Sequence, residues 1–129
     1  MDTRPVILDT NFLMIPFQFK INILVELDYL LERSHHYVVS SKTMDELGTI
    51  AKRVGKHGSA ARLALKMIES HKKQFEVIEN DLPVDDWIYL YAKEKNAIVC
   101  TNDAGLRRRL RETKMKVISM KSKAKIGFI

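Results

Sequence analysis

The chain has 129 residues, 22 basic and 16 acidic, for a formal net charge of +6; this length favours one domain with one moderate core. An apolar share of 46% and a charged share of 29% exclude disorder as the dominant state. A single cysteine, Cys100, excludes an intrachain disulfide scaffold and any cysteine-cluster zinc site.

In chain order the apolar pattern alternates between strand and helix. PVILD, residues 5–9, is a short run rich in β-branched residues and reads as a strand buried on both faces. Residues 10–19, with Pro16, read as a loop or short turn. Ile21, Leu24, Leu27 and Leu31 recur at helical spacing and predict a helix over 21–34. A second strand is expected at 36–40. A helix follows from Ser41 or Lys42, with Thr43, Leu47, Ile50 and Val54 on one stripe. GKHG, 55–58, reads as a break, and Ser59 as the cap of a further helix faced by Ala60, Leu63, Ala64, Met67 and Ile68. A third strand at 75–79 is closed by a turn at Asn80, Asp81 and Pro83. Then come a helix over 84–96, a buried strand at 97–101, a helix over 103–112 anchored by Leu106 and Leu110, and an outer strand at 116–120. The expectation is one α/β sandwich of about five strands spanning 1–129.

No apolar run approaches the length needed to cross a membrane. The opening MDTRPVILD also lacks the basic-then-apolar order of a signal peptide. A cytoplasmic setting is the expectation.

Charge is unevenly spread. Residues 1–102 carry 13 basic and 14 acidic side chains, whereas the last 27 carry 9 and 2. The positive excess therefore lies in a segment over 107–125. It begins with Arg107, Arg108, Arg109 and Arg111, which are candidates for holding RNA. A solvated helix with a frayed basic tail is the plainer alternative.

Acids collect where the strands end. Asp9 closes the first strand and Asp103 follows the 97–101 strand by two residues. Asp85 precedes Ile88 and Ala92 by three and seven, which carries it toward the sheet rim. Glu46 lies early in the helix after the second strand. In open parallel sheets, sites form beyond the carboxyl ends of the strands. Each acid also has a plainer use: Asp9 as the cap of the next turn, Glu46 as a first-turn acid, Asp85 and Asp86 as caps of a helix beginning at Trp87, Asp103 as the cap of the arginine-rich helix. Four converging carboxylates would repel one another unless a hard cation such as Mg²⁺ or Mn²⁺ sat among them. Beside a basic helix that arrangement is nuclease-like. His35, His36, His57, His71 and Cys100 form no rival set, and neither a dinucleotide fingerprint nor a phosphate loop is present. Trp87, Tyr89 and Tyr91 are expected in the core or on a dimer surface, with stacking on bases as the alternative.

VILDTN at 6–11, S-x₄-E-L at 41–47, DDWI at 85–88 and TND at 101–103, in this order, resemble a PIN domain over essentially the whole chain. The resemblance implies a metal-dependent endoribonuclease with a parallel sheet ordered 3-2-1-4-5. It also implies that Asp9, Glu46, Asp85 and Asp103 form a catalytic, metal-binding tetrad. Asn11 and Thr101 match its supporting polar positions, and Asp86 is a helper. Two branches are implied: toxin ribonucleases of toxin–antitoxin pairs, and an archaeal group similar to the endonuclease that processes small-subunit rRNA precursors. TNDAGLRRRLRE and IPFQF look closer to the second. The partners implied are RNA, an antitoxin or ribosome-assembly proteins, and a second copy of the chain. The alternative function is an RNA-binding module of this fold without catalysis.

Overall fold

The structure, a computed structural model, describes residues 3–31 and 34–129. Six strands form one sheet in the order β3-β2-β1-β4-β5-β6. They are β1 (Arg4–Leu8), β2 (His35–Ser40), β3 (Phe75–Ile78), β4 (Ile98–Cys100), β5 (Val117–Ser122) and β6 (Lys125–Phe128). The first five pair in parallel and β6 is antiparallel to β5. The expected α/β sandwich and the order of its parallel strands hold.

Strand side chains alternate strictly between two cores. Val6, Leu8, Tyr37, Val39, Ile98, Cys100 and Ile118 face one layer, and Ile7, Val38, Val99 and Val117 face the other. This is why the strand sequences read as unbroken apolar runs. The first layer contains α1 (Thr10–Leu13), α2 (Ile15–Phe19), α3 (Ile23–Leu30), α4 (Ser41–Ala51) and α5 (Lys56–Ser70). The second contains α6 (Val84–Lys95) and α7 (Ala104–Glu112). Trp87 and Ile88 are buried in the second core. Trp87 therefore packs rather than stacks on a ligand, its ring 4.9 Å from that of Tyr91.

Several boundaries differ from the sequence reading, each for a local reason. Residues 10–19 are helical. The Asp9 carboxylate accepts from the Thr10 N–H to start α1, and Pro16 occupies the first turn of α2, where its missing N–H breaks no hydrogen bond. Lys20, at φ 55°, ends α2. Asn22 then caps α3 through the Val25 N–H, so α3 starts at Ile23 rather than Ile21. Glu32 and Arg33, within the helix expected over 21–34, lie outside the described residues, as do Met1 and Asp2. α4 ends at Ala51, which leaves Val54 off its stripe and 96% exposed. The break falls at 52–55 rather than over 55–58, and Gly55 at φ 91° precedes α5, which starts at Lys56, three residues before Ser59. α6 begins at Val84, where the expected helix over 84–96 begins, so Asp85 and Asp86 stand inside its first turn and do not cap a helix beginning at Trp87. The sheet is closed by β6, not by the 116–120 strand. Its lysine-flanked segment turns back on β5 and buries Ile126, so the C-terminal end is a hairpin rather than a frayed tail. Among the described residues no helix is long and apolar enough to cross a membrane.

The corner between α4 and α5 fixes how α4 approaches the sheet. Arg62 donates to the carbonyls of Ala51 (2.7 Å) and Arg53 (3.1 Å), groups that the end of α4 leaves unbonded. Gly58 is buried here, and a Cβ on it would stand 1.9 Å from the Arg53 carbonyl oxygen. Gly48, within α4, has open space around its Cα. Alanine at these two helical glycines should therefore act with opposite sign. In urea unfolding, Gly48→Ala is expected to stabilise by about 0.5–1 kcal/mol, and Gly58→Ala to destabilise by about 1–3 kcal/mol.

Candidate active site

β1 is the strand at which the chain order reverses, with β2 on one side and β4 on the other. The carboxyl ends of β1 and β4 are joined by the Asp9 N–H donating to the Cys100 carbonyl at 3.0 Å. A crevice at such a reversal is the usual place for a site in an open α/β sheet. Here a cavity of about 370 Å³ opens, lined by Asp9, Glu46, Asp85 and Asp103 with Thr10 and Asn11 beside them. The four carboxylates predicted from sequence, separated by up to 94 positions, thus face one space. Among the described residues no lysine or arginine lines it.

Each acid is delivered by a different element. Asp9 is 6% exposed at the end of β1. Its Oδ1 accepts from the Thr10 N–H at 2.8 Å and its Oδ2 from the Thr101 hydroxyl at 2.7 Å. Thr101, fully buried after β4, in turn accepts from the Asp103 N–H at 3.1 Å. One hydroxyl therefore ties the ends of the two central strands together. Asp103 caps α7 through the Leu106 N–H at 2.7 Å. Both aspartates thus perform the helix-capping role and still line the cavity, since a carboxylate keeps further lone pairs after each such bond. Glu46, on the second turn of α4, accepts from the Thr10 hydroxyl at 3.0 Å. Thr10 was not singled out from the sequence. Its signal there is adjacency to Asp9 and membership of the VILDTN run.

Asp85 reaches the cavity from the first turn of α6. Next to it Asp86 is turned away and pairs with Arg109 of α7 at 2.8 Å. The Arg109 guanidinium also lies 4.3 Å over the Tyr89 ring. That contact pins α7 to α6 and so fixes the separation of Asp85 from Asp103. Arg109 is therefore engaged within the fold, whereas Arg107, Arg108 and Arg111 line a separate surface cavity of about 600 Å³. Arg107 also donates to the Ser119 hydroxyl at 3.3 Å. Asn11 is exposed at the cavity wall. Asn102, another residue the sequence did not flag, accepts from the Ser119 hydroxyl and the Met120 N–H, both at 2.8 Å, and so holds β5 against the site loop.

The electrostatics follow from this crowding. Burial pushes the Asp9 carboxyl up, and the charges of Asp85 and Glu46 add to this, against the lowering effect of its Thr101 and Thr10 hydrogen bonds. Burial likewise raises Asp85, reinforced by Asp103, Asp86 and Glu46 and opposed by Arg109. The donor set is all oxygen and carries four formal negative charges. It therefore fits a hard divalent cation and not a soft one. Among the described residues, no three Asp, Glu, His or Cys side chains meet as a ready-made cage. The carboxylates stand around the cavity, and Asp9, Glu46 and Asp103 are each held there by hydrogen bonds.

His35, His71 and Cys100 are engaged within the fold away from this cavity. His35 stands 3.1 Å from both Asp28 and the Tyr37 hydroxyl. The His71 ring bonds the Met67 carbonyl at 2.9 Å. Complete burial pushes the Cys100 thiol far up, as suits a core residue.

A raised folded-state pKa means that the native protein holds protons the unfolded chain has released. Stability therefore falls as pH rises through the carboxylate range. In metal-free buffer Asp9→Asn is expected to melt above the wild type at pH 7. The gap should close as pH falls toward the ordinary aspartate value of 3.8. Thermal melts of both proteins across this range measure it. Thr101→Val removes the hydroxyl that lowers Asp9 and is expected to cost about 1–3 kcal/mol at pH 7.

Comparison with known proteins identifies the family and the fold. The chain is 34% identical over 122 residues to "Ribonuclease VapC4" of Methanocaldococcus jannaschii, covering 92% of this chain and 91% of the relative. The structure of the PIN domain endonuclease Utp24 superposes with a TM-score of 0.78 at 26% identity, covering 96% of this chain and 90% of that one. A domain of a functionally unknown protein from Methanocaldococcus jannaschii shares the fold, with a TM-score of 0.65 at 19% identity over 93% of each chain. The family model described as a PIN-like domain matches residues 6–123, and the chain belongs to that family.

Proposed function

We propose that this chain, acting as a single domain, is a metal-dependent endoribonuclease. The observation that carries this reading is the convergence of Asp9, Glu46, Asp85 and Asp103 on one cavity from four elements, next to a helix that presents arginines to solvent. The chemistry supplied by Mg²⁺ or Mn²⁺ when bound there is activation of water and offset of negative charge on a phosphodiester. Asp9 and Asp103 are the residues best placed to hold the ion, being fixed by hydrogen bonds at the ends of the two central strands. Glu46 and Asp85 complete the donor set from the opposite helices. Thr101 and Thr10 keep Asp9 and Glu46 in position, and Asn11 offers a polar group at the cavity wall.

The acidic cavity would repel an RNA backbone, so the strand needs cations nearby. Arg107, Arg108 and Arg111 provide them on the exposed side of α7, whose N-terminus is capped by Asp103. Arg109 serves the reaction indirectly by clasping Asp86. The setting favoured here is that of a toxin-type ribonuclease with an antitoxin partner, because the relative at 34% identity is named as a VapC ribonuclease. Processing of rRNA precursors is the second reading, and the likeness to the Utp24 endonuclease favours it.

Incubation with single-stranded and structured RNA tests the reading. Wild type is expected to cleave with Mn²⁺ or Mg²⁺, to stop on chelation, and to recover on re-addition. Asp9→Asn should lose at least about 100-fold in rate. Equal cleavage by both proteins would contradict the assignment, and metal-independent RNA binding without cleavage would favour a non-catalytic module. Arg108→Ala and Arg111→Ala are expected to weaken RNA binding similarly for all sequences, each lowering the salt slope by about 1.

A further inference from the structure

Beside the acidic cavity lies a second, of about 680 Å³, between α4 and the turn that leads from β3 into α6. The two share Glu46, Pro83 and Val84 as lining residues, so they adjoin. The volume lies in the range of small-ligand sites. One wall is the apolar turn, made by Leu82, Pro83 and Val84, while Ile50 lies on α4. The other is the polar stripe of α4, with Asp45 and Thr49 facing the space and Lys42 at its N-terminal end.

Leu82 is the informative residue. It is 42% exposed, yet it sits on a built turn rather than a loose one. The Asn80 side chain accepts from the Leu82 N–H at 3.1 Å and donates to the Ser40 hydroxyl, the cap of α4, at 3.0 Å. The Ser41 hydroxyl donates to the Asn80 carbonyl and accepts from the Asn80 N–H. An apolar side chain is thereby held over a polar helix face, at a fixed distance from the acidic cavity. An apolar plate opposite hydrogen-bonding groups suits a flat, polar-edged ring.

The charge of the lining selects which part of a nucleotide enters. Asp45, Glu46 and Asp81 outnumber Lys42 and Arg53, and Lys42 already stands 4.0 Å from Asp81. A phosphate is disfavoured there, and a base is not. Carboxylates only accept hydrogen bonds, so the base must offer N–H groups. Guanine is the base that places two N–H donors side by side, at N1 and N2, to match one carboxylate.

On the reading of the acidic cavity as an RNA-cleaving site, we propose that this second cavity is the subsite for an unpaired guanine flanking the scissile phosphate. Leu82 and Pro83 cover the ring, and Asp45 accepts from its Watson–Crick edge. Unpaired bases are commonly recognised in this way, by a packing surface and edge hydrogen bonds.

The test uses the full chain and needs no catalysis. In ¹⁵N-resolved NMR, 5′-GMP is expected to shift the amides of Thr49, Ile50, Leu82 and Val84 in a saturating manner, with 5′-CMP binding about tenfold more weakly. Asp45→Asn, a surface change whose fold the same spectra report, should erase that discrimination. Equal binding of the two nucleotides, or shifts confined to Arg108 and Arg111, would overturn the proposal. A negative cleavage assay leaves this titration intact. Conversely, a protein that cleaves RNA but shows no preferential GMP site retains its nuclease assignment and loses the guanine subsite.

Discussion

The hydroxyl of Thr101 is the small group on which the site depends. It donates to Asp9 and accepts from the Asp103 N–H, and so connects the carboxyl ends of the two strands that flank the reversal in strand order. Without that bridge a carboxylate as deeply placed as Asp9 would lose one of its two hydrogen-bond donors in a setting that already raises its pKa. Thr101 itself still bonds to β5, its N–H donating to the Ile118 carbonyl at 3.0 Å. The next residues are diverted into Asp103 and the start of α7, which places a second acid beside the first.

Around this bridge the fold resolves a conflict between stability and chemistry. Four like charges facing one cavity oppose folding, and the cost is offset elsewhere. Two buried cores, one on each face of the sheet, supply the apolar burial. The Arg109 guanidinium, stacked on Tyr89 and paired with Asp86, lowers the electrostatic load on Asp85 while locking α6 to α7. The Arg62 clamp at the α4–α5 corner restrains the helix that carries Glu46. A site at the carboxyl edge can thus hold a surplus of acid because the elements that deliver it are fixed away from it.

The sequence disclosed the parts of the structure that follow from periodicity and from residue type at strand ends. Unbroken apolar strands meant a sheet covered on both faces. The placement of Asp9, Glu46, Asp85 and Asp103 just past strands or early in helices brought them to one edge. What stayed hidden depends on single side-chain bonds. Asp9 caps a four-residue helix that composition alone presents as a loop. Thr10 reaches Glu46 across 36 positions, which no local pattern encodes. Arg109 and Arg108 are neighbours in one basic run, yet only a tertiary contact with Asp86 and Tyr89 separates their roles. β6 was obscured because its short apolar core, Ile126–Phe128, is embedded in lysines that suggest a solvated tail.

The proposed function requires four distant carboxylates to act as one cation-binding unit. Paramagnetic broadening of amide signals by substoichiometric Mn²⁺ reads this directly, because it reports every segment near the ion at once. Thr10, Glu46, Asp85 and Asp103, with their immediate neighbours, are expected to broaden together at the lowest concentrations, before acidic residues elsewhere on the surface. Broadening confined to one of these segments, or spread evenly over exposed acids such as Glu69, Glu94 and Glu112, would contradict it.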